Sequence, residues 1–339
     1  MPLALHLHGN YSGSSFGLYI RSAFFTMVGS IDPIVLFFLL GLLAGILRAD
    51  LRLPPAIYEF VSTLLLLSIG MKGGVELAKQ PVLGLIGDLS MTLVLGVLLT
   101  FLAFAILRFI GRLDRTNAAA VAAHYGSVSV GTFAVGVAYL AREAIPYEPA
   151  MPLLLVLLEV PAIIIGIVLA RGIGTGTRWG EVLREVLLGR SVILLLGGLL
   201  IGWISGPVGL EPIAPLFFDL FKGVLAMFLL EMGLIAADHF GGFRRHGLFM
   251  VGFALLTPLL FATIGIGFAA LMGLSDGGSI LLATLAASAS YIAAPAAMRA
   301  AVPEANPALS LTASLAITFP FNILIGIPLY RQAVAFLLH

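Results

Sequence analysis

From about residue 31 onward the chain consists of long apolar runs separated by short polar breaks. A helix needs roughly 20 mostly apolar residues to cross a bilayer. Ten stretches fit that demand: 31–48, 55–78, 82–109, 116–142, 148–171, 191–206, 213–237, 246–273, 277–300 and 307–337. The runs are continuously apolar, not alternating with period two, which argues against a β-barrel. The pattern predicts an all-α polytopic membrane protein with ten transmembrane helices. Residues 1–30 form an N-terminal segment without the basic start and cleavage site of a signal peptide. Within it Phe16–Gly29 is apolar but interrupted by Arg21, so an interfacial helix is the first expectation; a misplaced start or a short extra span are the alternatives. The one long polar stretch, 172–190, opens with Gly172, Gly174 and Gly176 and continues as a short amphipathic helix from Trp179. It reads as a linker between a first five-helix repeat, 31–171, and a second, 191–339.

Composition agrees. The 339 residues are 60 % apolar and 10 % charged, with mean hydropathy +1.11 and net charge +1. Too few polar groups are available to cover a water-facing surface. The near-zero charge excludes a basic nucleic-acid binder. Without cysteine there is no disulfide framework, thiolate metal site or cysteine nucleophile. The basic residues set an orientation. Twelve arginines, from Arg48 to Arg299, lie in or beside loops that follow odd-numbered spans. The other side holds Arg21, Lys72, Lys79, Arg142 and Arg331. The arginine-rich side is expected to be cytoplasmic, with both termini outside a bacterial inner membrane.

The two halves echo each other. Gly41-Leu-Leu-Ala-Gly45 and Pro55 recur 157 positions later as Gly198-Leu-Leu-Ile-Gly202 and Pro212. Leu66-Leu-Ser-Ile-Gly70 resembles Leu229-Leu-Glu-Met-Gly233. Five spans per half is an odd number, so the second half is inverted relative to the first, as in many secondary transporters. The fourth span of each half collects small and hydroxyl residues: Ala122-Ala-His-Tyr-Gly-Ser-Val-Ser-Val-Gly-Thr132 and Ala286-Ala-Ser-Ala-Ser-Tyr-Ile-Ala-Ala-Pro295. These spans, the fourth and ninth, are expected to be interrupted. A broken helix presents free N–H groups and the positive end of its dipole, which together bind a small anion without arginine. Ser127, Ser129, Thr132, Ser288 and Ser290 add hydroxyls, and free carbonyls suit Na⁺. Close helix packing by small residues is the competing reading.

At these residues the chain resembles the sodium-dependent bicarbonate transporter family, the SbtA-like permeases. The strongest stretch is Ala286–Pro307, similar to the family's serine run, Asp, Gly-Pro-Pro and Leu-Arg-Ala-Gly-Ile-Pro-Ser-Ala-Asn-Pro. Ile69-Gly-Met-Lys-Gly-Gly74, Gly126–Ser129 with Thr132, and Glu159-Val-Pro161 match further family patterns. The resemblance implies two inverted five-span repeats, a gate of spans 1, 2, 6 and 7, a core of spans 3–5 and 8–10, an elevator movement and a homotrimer. It implies substrate and Na⁺ between the fourth and ninth spans, with Ser127, Ser129, Gly131, Thr132, Ser290, Tyr291, Ala293 and Ala294 around the substrate. Tyr291 stands where the family has Asp; Ala293 and Ala294 replace Ser and Gly; Val130-Gly131 replaces Gly-Ser. The implied pocket therefore lacks two hydroxyls and one carboxylate, and the Tyr291 hydroxyl either donates to an anion or fills the pocket. The family's long cytoplasmic loop is short here, which weighs against a PII-like regulatory partner.

His124, Glu159, Ser288 and Asn322 are the candidates for ion coupling. His124 carries a proton or bonds a freed carbonyl. Glu159 orients the site or bonds between helices. Asp88 is expected near a membrane end. Asp219 and Lys222, three apart, are expected to pair as ions, Arg299 to pair with Glu304 or meet water, and Lys72 to snorkel outward. Glu231 has no evident partner, and Phe217, Phe218 and Tyr330 read as lipid-facing or interface anchors. Bicarbonate transport coupled to Na⁺ or H⁺ leads. Transport of another small organic anion follows, as the altered pocket suggests. An intramembrane enzyme built on His124, Glu159 and Asp88 lacks any recognisable signature, and a structural or sensory role lacks a soluble domain. No cofactor is expected beyond Na⁺ as coupling ion.

Overall fold

The computed structural model describes residues 32–49, 51–79, 85–172, 179–239 and 243–339. Most of those residues are helical, and none of them is in a strand. The expected N-terminal interfacial helix and the glycine-rich start of the linker, 173–178, lie outside the described residues. The helices are α1 (Pro33–Ile46), α2 (Pro55–Leu77), α3 (Ile86–Ala105, continued by a wide turn to Ile110), α4 (Arg115–Gly126), α5 (Val130–Arg142) and α6 (Met151–Arg171). After the short α7 (Trp179–Leu187) come α8 (Arg190–Leu210), α9 (Phe221–His239), α10 (Phe243–Met272), α11 (Asp276–Ala287), α12 (Ala293–Ala301) and α13 (Pro307–Leu338). Among the described residues seven helices are long and apolar enough to cross a membrane, the α4–α5 pair counting as one. α1 and α11 are shorter apolar helices, and the 19-residue α9 carries Lys222, Glu231 and Asp238.

Large apolar side chains are exposed around the perimeter. Phe109 on α3, Ile204 on α8, Leu248 on α10 and Phe336 on α13 are 74 to 88 % exposed. A water-soluble surface does not carry so many; hydrocarbon tails accommodate them. The interrupted helices lie deep in the interior. Every residue from Ala118 to Gly126 and from Gly277 to Ala287 is buried.

Two helix pairs form one side of the molecule: α1 lies along α9, and α2 along α8. Their contacts explain the glycines of the repeated motif. A methyl group at Gly41 would strike the carbonyl of Leu230, and one at Gly198 the carbonyl of Leu67. Gly45 faces Leu234 as Gly202 faces Met71. In return Gly233 meets the carbonyl of Phe38, and Gly70 that of Leu195. Moving α1 to α8 takes a shift of 157 positions and moving α2 to α9 takes 163, and each contact maps onto its counterpart. Glycine is needed here because backbone meets backbone.

The other side holds α3–α6 and α10–α13. α4 packs on α6 and α3, and α11 on α10. Gly166 of α6 lets Ala119 and Ala123 of α4 approach. At the arginine-rich end, Asn117 accepts from the N–H of Asn306 (2.8 Å), Arg115 donates to the Leu169 carbonyl (2.6 Å), and Arg171 pairs with Glu304 (3.3 Å). The expected Arg299–Glu304 pair is thereby corrected: Glu304 is taken by the end of α6, and Arg299 is exposed on α12.

Three further expectations change. Asp219 and Lys222 form no ion pair. A wide turn, Pro215–Asp219, precedes α9, so the two do not share a regular helix face. Glu231 has a partner, the N–H of Leu53 at 2.9 Å in the α1–α2 connection. Tyr330 is buried, 1 % exposed, and donates to the Asn322 side-chain oxygen at 2.6 Å. Phe217 and Phe218 line a cavity of about 1060 Å³ between α2, α5 and the start of α9. Lys72 and Lys222 line it too.

Candidate functional site

Two interrupted helices meet at the centre of the buried side. Their incoming halves are twins 161 positions apart. α4 and α11 each have 12 residues. Asp114 caps α4 by accepting from Asn117 N–H, and Ser275 caps α11 by accepting from Gly278 N–H. α4 ends on Ser127 (φ −85°, ψ 176°) and α11 on Ser288 (φ −82°, ψ 168°), both extended. The chain cannot continue as a helix from that conformation.

The breaks are tied to each other. Ser129 N–H donates to Ser288 Oγ at 2.9 Å, and Ser290 N–H donates to the His124 carbonyl at 2.8 Å. Thus each loop satisfies a backbone group freed by the other, as buried polar groups require. Downstream, Ser129 Oγ accepts from both the N–H and the hydroxyl of Thr132 (3.0 and 2.9 Å), starting α5. Ser290 Oγ accepts from Ala294 N–H at 3.1 Å, near the start of α12. Pro295 is the third residue of α12, where a missing N–H costs nothing. It therefore opens the downstream helix; the serines make the break.

Asn322 of α13 closes the end of α11, donating to the Ala287 carbonyl at 2.9 Å. Thr318 donates to the Ala254 carbonyl and Tyr125 donates to Thr318, both at 2.7 Å, so α4, α10 and α13 are pinned around the crossing. Tyr291 sits in the second break, buried, with its ring edge-on to Phe319 (centroids 5.3 Å apart). A methyl group at Gly131 would strike the Tyr291 hydroxyl. The structure therefore brings together Ser129, Gly131, Thr132, Ser288, Ser290, Tyr291, Ala294 and the backbone of His124. Asn322 reaches the break through Ala287. Ala293 begins α12 beside them.

Four buried polar atoms here have no hydrogen-bond partner: His124 Nε2, Ser127 Oγ, Glu159 Oε2 and Tyr291 OH. An unpaired buried polar group is costly, so these four atoms are the ones at the crossing with hydrogen-bonding capacity left over. His124 Nδ1 lies 2.7 Å from the Ala120 carbonyl, so that nitrogen carries the hydrogen. The neutral ring then leaves Nε2 as a bare acceptor. Glu159 hydrogen-bonds with none of the break residues; its neighbour Val160 packs on the cluster containing Ala294, Ala297 and Ala123. Among the described residues no group of three His, Asp or Glu side chains could hold a metal ion.

Sequence reasoning missed the aromatic surround. Phe228 of α9 lies over Gly131 and stacks on Tyr58 of α2 (5.9 Å), while Phe38 of α1 stands edge-on to Phe319 (5.6 Å). No local pattern announces these contacts, which join residues far apart in the chain. It also missed a charged cluster at the arginine-poor end. Arg142 pairs with Asp32 (3.3 Å) and Glu143 (3.0 Å), and Arg331 with Glu143 (2.5 Å). The Arg331 guanidinium, and then Arg142, hold the Glu143 carboxyl below its ordinary range.

A family model described as the Na⁺-dependent bicarbonate transporter superfamily matches residues 33–335. No curated protein matches the chain.

Proposed function

The chain belongs to the Na⁺-dependent bicarbonate transporter superfamily, and from that premise we propose that it is a secondary active transporter that carries a small anion, bicarbonate first, together with Na⁺. The observation that carries this reading is the reciprocal tie between two interrupted helices, Ser129 N–H to Ser288 and Ser290 N–H to the His124 carbonyl. Helices broken at matched positions are the recurrent way to build an ion site inside a membrane. The start of α5 offers N–H groups and the positive dipole end to an anion. Ser127 Oγ lies without a partner at the carboxyl end of α4. A hard oxygen beside the negative end of a dipole suits Na⁺.

In this reading the ten spans are α1, α2, α3, α4–α5, α6, α8, α9, α10, α11–α12 and α13, in two inverted repeats. The mapping of glycine contacts under shifts of 157 and 163 supports the repeat, as does the twinning of α4 and α11. The α1–α2–α8–α9 side is the gate and the remainder the core, moving as an elevator in a trimer. The arginine-rich end faces the cytoplasm across an inner membrane, with both termini outside. The bare His124 Nε2 favours a second reading of the energy source, proton coupling.

Reconstitution into liposomes tests both. Labelled bicarbonate is expected to enter faster under an inward Na⁺ gradient; a proton gradient serving equally well points to His124. Absence of uptake of bicarbonate and small carboxylates under any gradient would overturn the proposal.

A further inference from the structure

α5 runs from the crossing to the arginine-poor end. It starts at Val130 and finishes at Arg142, a length of roughly 20 Å. Two cavities border its last turns. One, of about 270 Å³, is lined by Asp32, Val35, Val135, Tyr139, Arg142 and Ile327, and so lies between α5, α1 and α13. The other is the cavity of about 1060 Å³ beside α2 and the start of α9, and Ala138 lines both. At the smaller cavity Arg142 Nη1 reaches Asp32 Oδ2 at 3.3 Å, from one side of the molecule to the other. By contrast Arg52–Asp238 and Arg190–Glu59 stay within the α1–α2–α8–α9 side, and Arg171–Glu304 and Arg331–Glu143 within the remainder.

We propose that the Arg142–Asp32 pair is a latch between the two sides, closed in this structure and parted when they move against each other. This rests on the elevator reading above. Each end of the pair has a second partner. Arg142 donates to Glu143 at 3.0 Å and lies over the Tyr139 ring at 5.2 Å, and Arg331 of α13 holds Glu143. Asp32 caps α1, accepting from Ile34 N–H at 2.9 Å. Parting the pair therefore strands neither charge. The Arg142 and Asp32 side chains are 35 % and 16 % exposed, so water reaches both as they separate. The cost of opening is that of a partly exposed ion pair, far below that of an unpaired buried charge. The latch acts on the helix whose first turn lies at the crossing, so its opening releases the α5 end of the cargo site from α1.

The test uses the full chain in proteoliposomes. The chain has no cysteine, so an introduced thiol reports alone. Val135 lines the smaller cavity and is 5 % exposed, so in Val135→Cys a maleimide reaches the thiol when the seam parts. Val192→Cys, buried in α8 at 3 % exposure, serves as the control for general loosening. Asp32→Asn keeps a capping side chain on α1 and removes the charge. Arg142→Gln leaves Glu143 to Arg331. Each is expected to speed labelling at position 135 about threefold, the scale of a partly exposed ion pair. The two together are expected to do no more, because they remove one and the same interaction. The rate at position 192 is expected to stay constant. An unchanged rate at 135 in Asp32→Asn, a rate multiplied to about ninefold in the double variant, or an equal rise at 192 overturns the latch. Bicarbonate uptake by the wild-type chain then leaves the transporter reading standing. Failure of the wild-type chain to take up any small anion overturns that reading and the latch with it.

Discussion

The two breaks begin alike and end differently. Up to Ser127 and Ser288 the halves share length, capping and the conformation of the last residue. Beyond that point the first break is short: Ser129 serves at once as the helix cap, and α5 starts at Val130. The second runs two residues longer, through Tyr291 and Ile292, before α12 starts at Ala293 without a side-chain cap on its own first residue. The matched positions Gly131 and Ile292 show the result. Gly131 is covered by Tyr291 and Phe228, whereas Ile292 is 39 % exposed. A repeated scaffold thus supplies the crossing, and the two copies part only beyond the shared serine, where one adds Tyr291 and Ile292.

The sharpest way to break this comparison is to fill Gly131. Gly131→Val forces side-chain carbon into the Tyr291 hydroxyl and Phe228, and overpacking of this kind costs about 3 kcal/mol. Thermal unfolding in detergent is expected to drop accordingly, and a Tyr291→Ala background to restore at least half. The matched change Ile292→Val is expected to stay within about 0.5 kcal/mol. Equal costs at the two positions would erase the asymmetry. Next comes Ser288→Ala, which leaves the Ser129 N–H buried without an acceptor at about 2 kcal/mol. Ser290→Ala removes only the acceptor for Ala294 N–H and is expected to cost about 1 kcal/mol, the usual value of a cap. The smallest difference lies at the twin helix starts and appears with pH. The Asn117 N–H holds the Asp114 carboxyl below its ordinary 3.8. Its ionised form therefore stabilises the fold fully above that value, and the contribution fades as pH falls through the depressed one. Asp114→Asn is expected to differ from wild type at pH 7 and to converge with it in strong acid. Ser275→Ala, which removes a cap without a titrating group, is expected to keep a constant deficit.

The sequence carried the scaffold further than the site. The recurrence of Gly41 and Gly45 as Gly198 and Gly202 already marked the repeat, and the structure gives it a reason, since backbone meets backbone at these glycines. Serine-rich interruptions marked both breaks. What the sequence could not carry is partner identity across the bundle. Tyr330 looks like an interface anchor until Asn322, a full two turns away, is seen to take its hydroxyl. Glu304 looks like a mate for Arg299 because they are near in sequence, yet α6 brings Arg171 to it. Asp219 and Lys222 have pairing distance in sequence only if the helix is regular between them, and the wide turn before α9 removes that condition.

The glycine contacts also decide which seams of this molecule can slide. Where α1 meets α9 and α2 meets α8, carbonyls lie where side chains would otherwise be. Such a joint has one register. A shift by a single residue drives a leucine into a peptide bond, so these four helices behave as a welded frame. Across the seam toward the interrupted helices, rings meet the other side instead: Phe38 of α1 stands edge-on to Phe319 of α13, and Phe228 of α9 lies over Gly131 of α5. Rings can rotate and trade neighbours without breaking a backbone hydrogen bond. The molecule thus joins glycine seams of one register to a face whose ring contacts can re-form, and relative movement costs less at that face than within the frame.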